Sequence, residues 1–312
     1  MLSQRLITGP LLVVLLLGLA WLDQIVGATE IKTSLFIGWP MGPLGIEVIP
    51  PGLILWIVCC LIIPLAASEL AAIARNIGIR CQATGIALFS LVLLLVMWII
   101  PSLPANDSTP MLAAALLGLV LCLSFFFALV QASWGQRIEG ALEAAAATVL
   151  FTIYLGLFLG FFLLLRGDGK PIWWIIGIIA IVKMCDTGAY FTGTAIGKHK
   201  LIPWLSPGKT WEGLAGGLAA AMLTSVGLAA LSATWLPDDP AIPLAWALGM
   251  GFLIGLVGQA GDLVMSLLKR AAQVKDSSRL LPGLGGIMDV LDSPLLAAPV
   301  GWALLMWVTC SA

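Results

Sequence analysis

Charged residues and histidine are scarce in this chain. Of its 312 residues, 10% are charged and 61% are hydrophobic, which excludes an ordinary soluble domain and is typical of a polytopic helical membrane protein. His199 is the single histidine, and this almost excludes a Ser-His-Asp triad or a multi-histidine metal site. The six cysteines form no spaced Cys/His cluster. No basic run lies outside the loops next to apolar segments, so nucleic acid is not an expected partner.

Apolar windows long enough to cross a bilayer predict about nine helices, and we therefore expect an all-α polytopic membrane protein. The predicted spans cover residues 7–28, 52–72, 84–103, 111–132, 144–165, 172–190, 213–235, 242–265 and 294–311. The polar and charged residues that could bind substrate or take part in catalysis are concentrated after about residue 170. We expect residues 1–170 to form a hydrophobic transmembrane scaffold and residues 171–312 a transmembrane catalytic region. The latter would carry two polar cytoplasmic loops, 186–213 and 262–293.

The distribution of positive charge predicts the orientation of these spans. With the N-terminus in the cytoplasm, the Lys and Arg residues between spans fall on the cytoplasmic side, apart from Lys32, Arg166 and Lys170. The positive-inside rule then favours a cytoplasmic N-terminus and a C-terminus outside. We expect a multi-pass protein of the inner (cytoplasmic) membrane, with its active site facing the cytoplasm.

A first polar group begins inside the sixth predicted span, with Lys183 and Asp186, and continues beyond it. Lys183 and Asp186 are three residues apart, so on a helix they share a face, either as a neutral structural pair or as part of a site. The segment Ser206-Pro-Gly-Lys-Thr210 combines hydroxyls, a glycine and a lysine, which suits a phosphate. It lacks the Walker A spacing, and a plain turn before the next helix is the alternative.

A second polar group begins inside the eighth predicted span, with Asp262, and continues beyond it. If that helix continues beyond the membrane, four of its side chains share one face, namely Asp262, Ser266, Lys269 and Gln273. The glycine-rich segment 282–286 predicts a tight turn. Ser293 and Pro294 read as the N-cap and first-turn proline of the last helix.

The acids of this second group predict a metal site. Asp289 and Asp292 present two carboxylates side by side, and with Asp262 they offer oxygen ligands of the kind that Mg²⁺ prefers. Nearby cations suit a polyphosphate, namely Lys269, Arg270, Lys275 and Arg279. Acid, base and glycine together indicate phosphoryl or nucleotidyl transfer assisted by Mg²⁺. A solvated cytoplasmic loop is the alternative.

Three motifs in this half of the chain resemble those of the phosphatidate cytidylyltransferase (CDP-diacylglycerol synthase) family. They are Asp186-Thr-Gly-Ala-Tyr190 with Gly197-Lys198, then Ser206-Pro-Gly-Lys-Thr-Trp-Glu-Gly213, and Ser266-x-x-Lys-Arg270 continuing through Lys275-Asp276 and Pro282-Gly-x-Gly-Gly286 to Asp289 and Asp292. Two positions depart from the family pattern. Leu284 stands where a histidine is usual, and Val290 where an arginine is usual.

The resemblance implies transfer of CMP from CTP to phosphatidic acid, with Mg²⁺ as cofactor and a monovalent cation as an open second ion. Metal ligands would be Asp262, Asp289 and Asp292. Catalytic residues would be Lys269, Arg270, Lys275, Asp276 and Asp186. Substrate-binding residues would be Ser206, Lys209, Thr210, Ser266, Gly285 and Gly286. A homodimer is kept open as the assembly.

Three other functions remain open at this stage. A CTP-dependent kinase of a lipid alcohol such as dolichol or phytol would share the nucleotide and the polytopic architecture. An ion-coupled transporter would use Lys183 and Asp186 as an intramembrane relay. An inactive paralogue would account for Leu284 and Val290.

Overall fold

The computed structural model describes residues 2–29, 48–104, 107–134, 139–235 and 241–311. Within these ranges, nine helices are long and apolar enough to span a membrane. The prediction of a helical polytopic membrane protein is therefore confirmed. Lys32 and Arg137, which entered the orientation argument, lie outside the described residues.

Nine long helices account for most of the described residues. In chain order they are α1 (Leu2–Ala28), α2 (Leu53–Asn76), α3 (Ala83–Ile99), α4 (Thr109–Trp134), α5 (Ala141–Gly167), α6 (Ile172–Ile196), α7 (Trp211–Trp235), α8 (Leu244–Ala271) and α9 (Ile287–Ser311). A 3₁₀ turn, Ile100–Ser102, extends α3, and a π-helical turn, Ile153–Leu157, interrupts α5.

The described chain divides into two compact units. One comprises Met1–Ile172 with Ala272–Met288, and the other comprises Trp173–Ala271 with Asp289–Ala312. The first unit thus holds α1 to α5 and the segment before α9, while the second holds the hairpin and nearly all of α6 to α9.

In the first unit, α5 crosses α3 at glycines. A Cβ on Gly156 would lie 2.8 Å from the backbone of Ser90, and one on Gly160 would lie 2.7 Å from the side chain of Met97. Bare Cα atoms therefore allow these helices to approach closely, as is common in membranes, where small residues bring helix backbones together.

A buried ion pair ties α1 to α5 in the same unit. Arg166 Nε donates to Asp23 Oδ2 over 2.8 Å, and the two side chains are 5% and 1% exposed. Asp23 Oδ1 also accepts the backbone N–H groups of Ile54 and Leu55, which begin α2. Helix starts leave such groups unpaired, so one aspartate satisfies a buried cation and a helix N-terminus together.

The second unit contains the one sheet found among the described residues, a two-stranded hairpin between α6 and α7. Strand β1 (Lys200–Ile202) pairs antiparallel with β2 (Ser206–Thr210), and Lys200 stands opposite Thr210. The all-α expectation thus missed a short element. Strand β2 has only five residues, contains Pro-Gly and carries no alternating apolar pattern. The hairpin is therefore stabilised by its surroundings rather than by its own composition.

Two expectations about helix ends are wrong. α9 begins at Ile287, so Ser293 and Pro294 lie inside it and do not form its N-cap and first turn. The cap is supplied from elsewhere in the chain, as described below. α8 does continue as far as Ala271, which places Asp262, Ser266 and Lys269 on one helix. Gln273, however, lies beyond the end of α8 with φ at 57°, so its side chain does not share the predicted helix face.

The predicted glycine turn is confirmed. Leu281 and Gly285 form an isolated antiparallel bridge, and Gly283 and Gly285 have φ values of 82° and 94°. These left-handed conformations are accessible to glycine at little cost, so the segment reverses direction within five residues.

Candidate active site

A polar cavity of about 530 Å³ lies in the second unit, beside the hairpin. Its walls come from α6, both strands of the hairpin, the start of α7 and the second half of α8. The predicted site residues in its lining are Asp186, Ser206, Lys209, Thr210 and Asp262. A cavity of this size, with converging charged groups, is typical of a small-molecule site.

Lys209 is the central cation of this cavity. Its Nζ lies 2.7 Å from Oδ2 of Asp262 and donates to Oε1 of Gln259 over 2.9 Å. The Gln259 amide in turn donates to Oδ1 of Asp186 over 2.7 Å. The hydrogen-bond chain therefore fixes a lysine from the hairpin between acids of two helices.

Gln259 is a site residue that sequence reasoning missed. It is 6% exposed, and both ends of its amide are used, one by Lys209 and one by Asp186. A signal was present, because Gln259 is polar within an apolar helix and lies three residues before Asp262, on the same face. Buried amides with both ends paired hold their neighbours in a defined geometry.

The hairpin is anchored at the start of α7. Glu212 accepts the backbone N–H groups of Lys198 and His199, and its Oε1 lies 2.6 Å from Nδ1 of His199. Thr210 is buried, and its Oγ1 accepts the N–H of Gly213, which caps α7. The Thr210 hydroxyl, which was predicted to hold a phosphate, thus already accepts a hydrogen bond that stabilises the start of α7. Ser206 and Lys209 line the cavity.

Lys183 and Asp186 form the predicted pair on α6. Nζ of Lys183 lies 3.7 Å from Oδ2 of Asp186, and both side chains are partly exposed. Lys183 also donates to the carbonyl oxygen of Val290 over 3.3 Å. That carbonyl would ordinarily accept from residue 294, but Pro294 has no N–H. The proline inside α9 therefore leaves an acceptor that the lysine uses.

The predicted metal ligands lie on α8 and α9. Asp289 is paired with Lys269, with Nζ and Oδ1 2.6 Å apart. Asp292 accepts from the N–H and Oγ of Ser293, and it interacts electrostatically with Asp262. In the residues that the structure describes, no three His, Cys, Asp or Glu side chains converge on one metal position.

A close crossing of α8 and α9 brings Asp262 and Asp292 near enough to interact electrostatically. A Cβ on Gly261 would collide with the carbonyl oxygen of Asp292 and would lie 3.2 Å from Cα of Ser293. At Gly261 the backbone of α8 therefore lies close to the backbone of α9, and Asp262 is the next residue. Two acids held together in this way suit Mg²⁺, which commonly takes one or two carboxylates and completes its shell with phosphate and water.

The remaining predicted residues are distributed over both units. Ser266 donates to Asp262 over 3.5 Å, and Arg270 Nε donates to the carbonyl oxygen of Leu205 in the hairpin turn over 3.4 Å. Lys275 and Asp276 are exposed and belong to the first unit, as do Gly285 and Gly286. Backbone bonds of Gly285 to Leu281 close the glycine turn.

Most of the chain is similar to proteins of one family. Residues 32–308 match the model of the cytidylyltransferase family. Proteins named phosphatidate cytidylyltransferase are also similar to this chain. The one from Mycobacterium leprae is 38% identical over 179 residues, 56% of this chain and 54% of the relative. The one from Bacillus subtilis is 38% identical over 157 residues (50% and 56%). The one from Staphylococcus aureus is 41% identical over 156 residues (50% and 57%).

The chain spans about half the length of the curated relatives it matches. The family match is longer and covers both the cavity residues and the Lys269–Asp289 pair. On this extent of similarity, the chain belongs to the cytidylyltransferase family.

Proposed function

We propose that this protein is a phosphatidate cytidylyltransferase, which transfers CMP from CTP to phosphatidic acid and releases pyrophosphate. The observation that carries the proposal is the polar cavity, in which Lys209 of the hairpin is held between Asp262 and Gln259. Family membership and the names of the similar proteins support the same substrates.

In this proposal the cavity binds phosphate groups. Lys209 supplies positive charge, and Ser206 and the backbone around Gly208 supply a polar wall. Thr210 contributes by fixing the start of α7, since its hydroxyl is engaged by Gly213. Ser266, Lys269 and Arg270 extend the polar surface along α8. We further assign triphosphate neutralisation to Lys269, Arg270 and Lys275, a catalytic role to Asp276, and substrate contacts to Gly285 and Gly286.

Mg²⁺ fits the acids of the second unit. Asp262 and Asp292 would hold it, and Asp289 would join them on release from Lys269, while Asp186 lies within electrostatic range of Asp262. When bound, the ion would neutralise charge that develops on the phosphates. A monovalent cation beside it is part of the same proposal.

The chemistry needs no histidine. An oxygen of the phosphatidate phosphate forms a bond to the α-phosphorus of CTP, and the bond from that phosphorus to the β-bridging oxygen breaks, so that pyrophosphate leaves. The attacking group is already anionic and requires no general base. The protein then has to align two anions and screen their repulsion, which is the task that lysines and a divalent ion perform in phosphoryl transfer.

We also propose how the enzyme sits in the cell. The active site faces the cytoplasm, where CTP is dissolved, and the bilayer is the inner membrane, which supplies phosphatidic acid. The N-terminus would then be cytoplasmic and the C-terminus outside, with residues 1–170 as scaffold and 171–312 as the catalytic region. The assembly would be a homodimer. Labelling of single introduced cysteines in intact cells tests the orientation, and mass measurement in detergent tests the dimer.

The activity test uses purified protein with phosphatidic acid, Mg²⁺ and CTP labelled at the α-phosphate. We expect label in CDP-diacylglycerol, release of pyrophosphate, and loss of both on addition of EDTA, with recovery when Mg²⁺ is restored. A lipid-alcohol kinase would instead transfer the γ-phosphate to dolichol or phytol. Absence of any lipid product from an intact, folded preparation would contradict the proposal and favour an inactive paralogue.

A further inference from the structure

A buried acid in the first unit is not used by the chemistry proposed above. Glu69 lies in α2, within an otherwise apolar stretch, and is 5% exposed. An acid in a membrane-spanning helix is costly to bury unless its oxygens are fully paired, and such residues usually have a function.

The partners of Glu69 all come from the segment before α9 and from its first turn. Oε1 accepts Ser278 Oγ over 2.6 Å and the N–H of Ile287 over 2.9 Å. Oε2 accepts Ser277 Oγ over 2.7 Å and the N–H of Met288 over 2.9 Å. Each oxygen thus takes one hydroxyl and one of the backbone donors that a helix start leaves unpaired. Glu69 serves as the N-cap of α9 from a position more than 200 residues earlier in the chain.

Gly286 provides independent support for this role. A Cβ at this position would collide with Ser277 Oγ and with the Glu69 carboxylate. The side-chain space of Gly286 is therefore occupied by the acid and its partner. A glycine is required here so that a carboxylate can reach the start of α9, whatever else the segment binds.

We propose that Glu69 is a positioning residue for nucleotidyl transfer, because it fixes the first turn of α9. Asp289 follows Met288 directly, and Asp292 lies about one helical turn further on. A shift or fraying at Ile287 and Met288 would move the carboxylates that come next. This inference rests on the proposed function.

The central test compares Glu69→Gln with three other variants. Glutamine keeps the size of the side chain, but its amide nitrogen cannot accept a hydrogen bond, so one of the two α9 N–H groups loses its acceptor. Ser277→Ala removes a hydroxyl donor and leaves both N–H bonds in place. Thr148→Ala is the control for a buried polar change in the same unit, since the Thr148 hydroxyl donates to the Ala144 carbonyl one turn earlier in its own helix. Glu69→Ala removes the cap altogether, and Glu69→Gln remains informative if that variant does not fold.

We expect kcat of Glu69→Gln to fall by about 10²-fold, the effect of small displacements on a reacting geometry. KM for phosphatidic acid should stay unchanged, because Lys209 and its cavity are untouched. Hydrogen exchange should rise at the first amides of α9. Ser277→Ala and Thr148→Ala should keep kcat close to that of the wild type.

Three results would count against the inference, and they can be told apart. If the wild type forms no CDP-diacylglycerol, the proposed function fails, and this inference fails with it. If the wild type is active and folded Glu69→Gln has the same kcat, only the role of Glu69 is contradicted. If kcat falls equally in Glu69→Gln and Thr148→Ala, in step with the loss of folded protein, Glu69 is a stability residue and the inference is wrong.

Discussion

Lys269 on α8 and Asp289 on α9 form an ion pair of 2.6 Å between Nζ and Oδ1, with side chains 13% and 10% exposed. A pair with so little solvent around it has lost most of its hydration, and each charge depends on the other. It joins a proposed triphosphate-binding lysine to a proposed metal ligand. The same contact therefore bears on both stability and turnover.

Asp289→Asn should abolish CDP-diacylglycerol formation while the protein remains folded. It should also destabilise the protein by about 3 kcal/mol, because Lys269 is left as a poorly solvated, unpaired charge. The double variant Lys269→Met with Asp289→Asn should regain stability and remain inactive. Thermal unfolding in detergent and product analysis measure the two effects. Near-normal product formation by purified Asp289→Asn would show that this carboxylate is not required.

Lys209→Met should reduce turnover by at least about 10²-fold, since a preorganised cation in a shielded site contributes strongly to transition-state stabilisation. Lys200→Met is the matched control, because Lys200 lies on the same hairpin and is exposed. It should retain activity. Equal loss in the two variants would indicate damage to the hairpin rather than loss of a cavity charge.

Pro294→Ala should make the protein more stable and less active. Alanine restores an N–H that can bond the Val290 carbonyl within α9, and a proline inside a helix costs about 3 kcal/mol. Lys183 would then lose the acceptor it now uses. Pro299→Ala, in the same helix, should stabilise without the loss of activity. Wild-type turnover in Pro294→Ala would mean that the Lys183–Val290 contact has no bearing on catalysis.

Gly261→Ala should lower turnover by separating α8 from α9. The added Cβ would meet the backbone of Asp292, and neither helix can yield without moving a carboxylate. Gly249→Ala, in the same helix, has open space around its Cβ and should be neutral or slightly stabilising. Steady-state assays of both variants at several Mg²⁺ concentrations would detect the difference. Full activity of Gly261→Ala would argue against a shared role for Asp262 and Asp292.

The membrane helices were predictable because the cost of exposing backbone and charge to lipid acts on every span separately. Each window of apolar residues is sufficient evidence by itself, and all nine predicted spans have a helical counterpart among the described residues. The start of α9 was not predictable in this way. Its cap comes from Glu69, a residue distant in the chain, so the local Ser293-Pro294 pattern does not mark the start of the helix.

Candidate site residues were predictable where the residue type itself limits the chemistry. Lys209 and Asp262 stood out as charges beside apolar helices, and the structure brings them together. Gln259 was missed because an uncharged amide in a helix has many ordinary explanations. Only its two partners distinguish it.

By itself, the amino-acid sequence determined that this chain is a helical membrane protein, since composition and hydropathy act locally and need no knowledge of neighbours. It also determined which residues could bind phosphate or metal, because those are properties of side chains. The tertiary structure alone decided which of them meet: Lys209 with Asp262, Lys269 with Asp289, and Glu69 with the start of α9. Such pairings depend on close helix crossings, and sequence spacing carries no information about contacts between residues far apart in the chain.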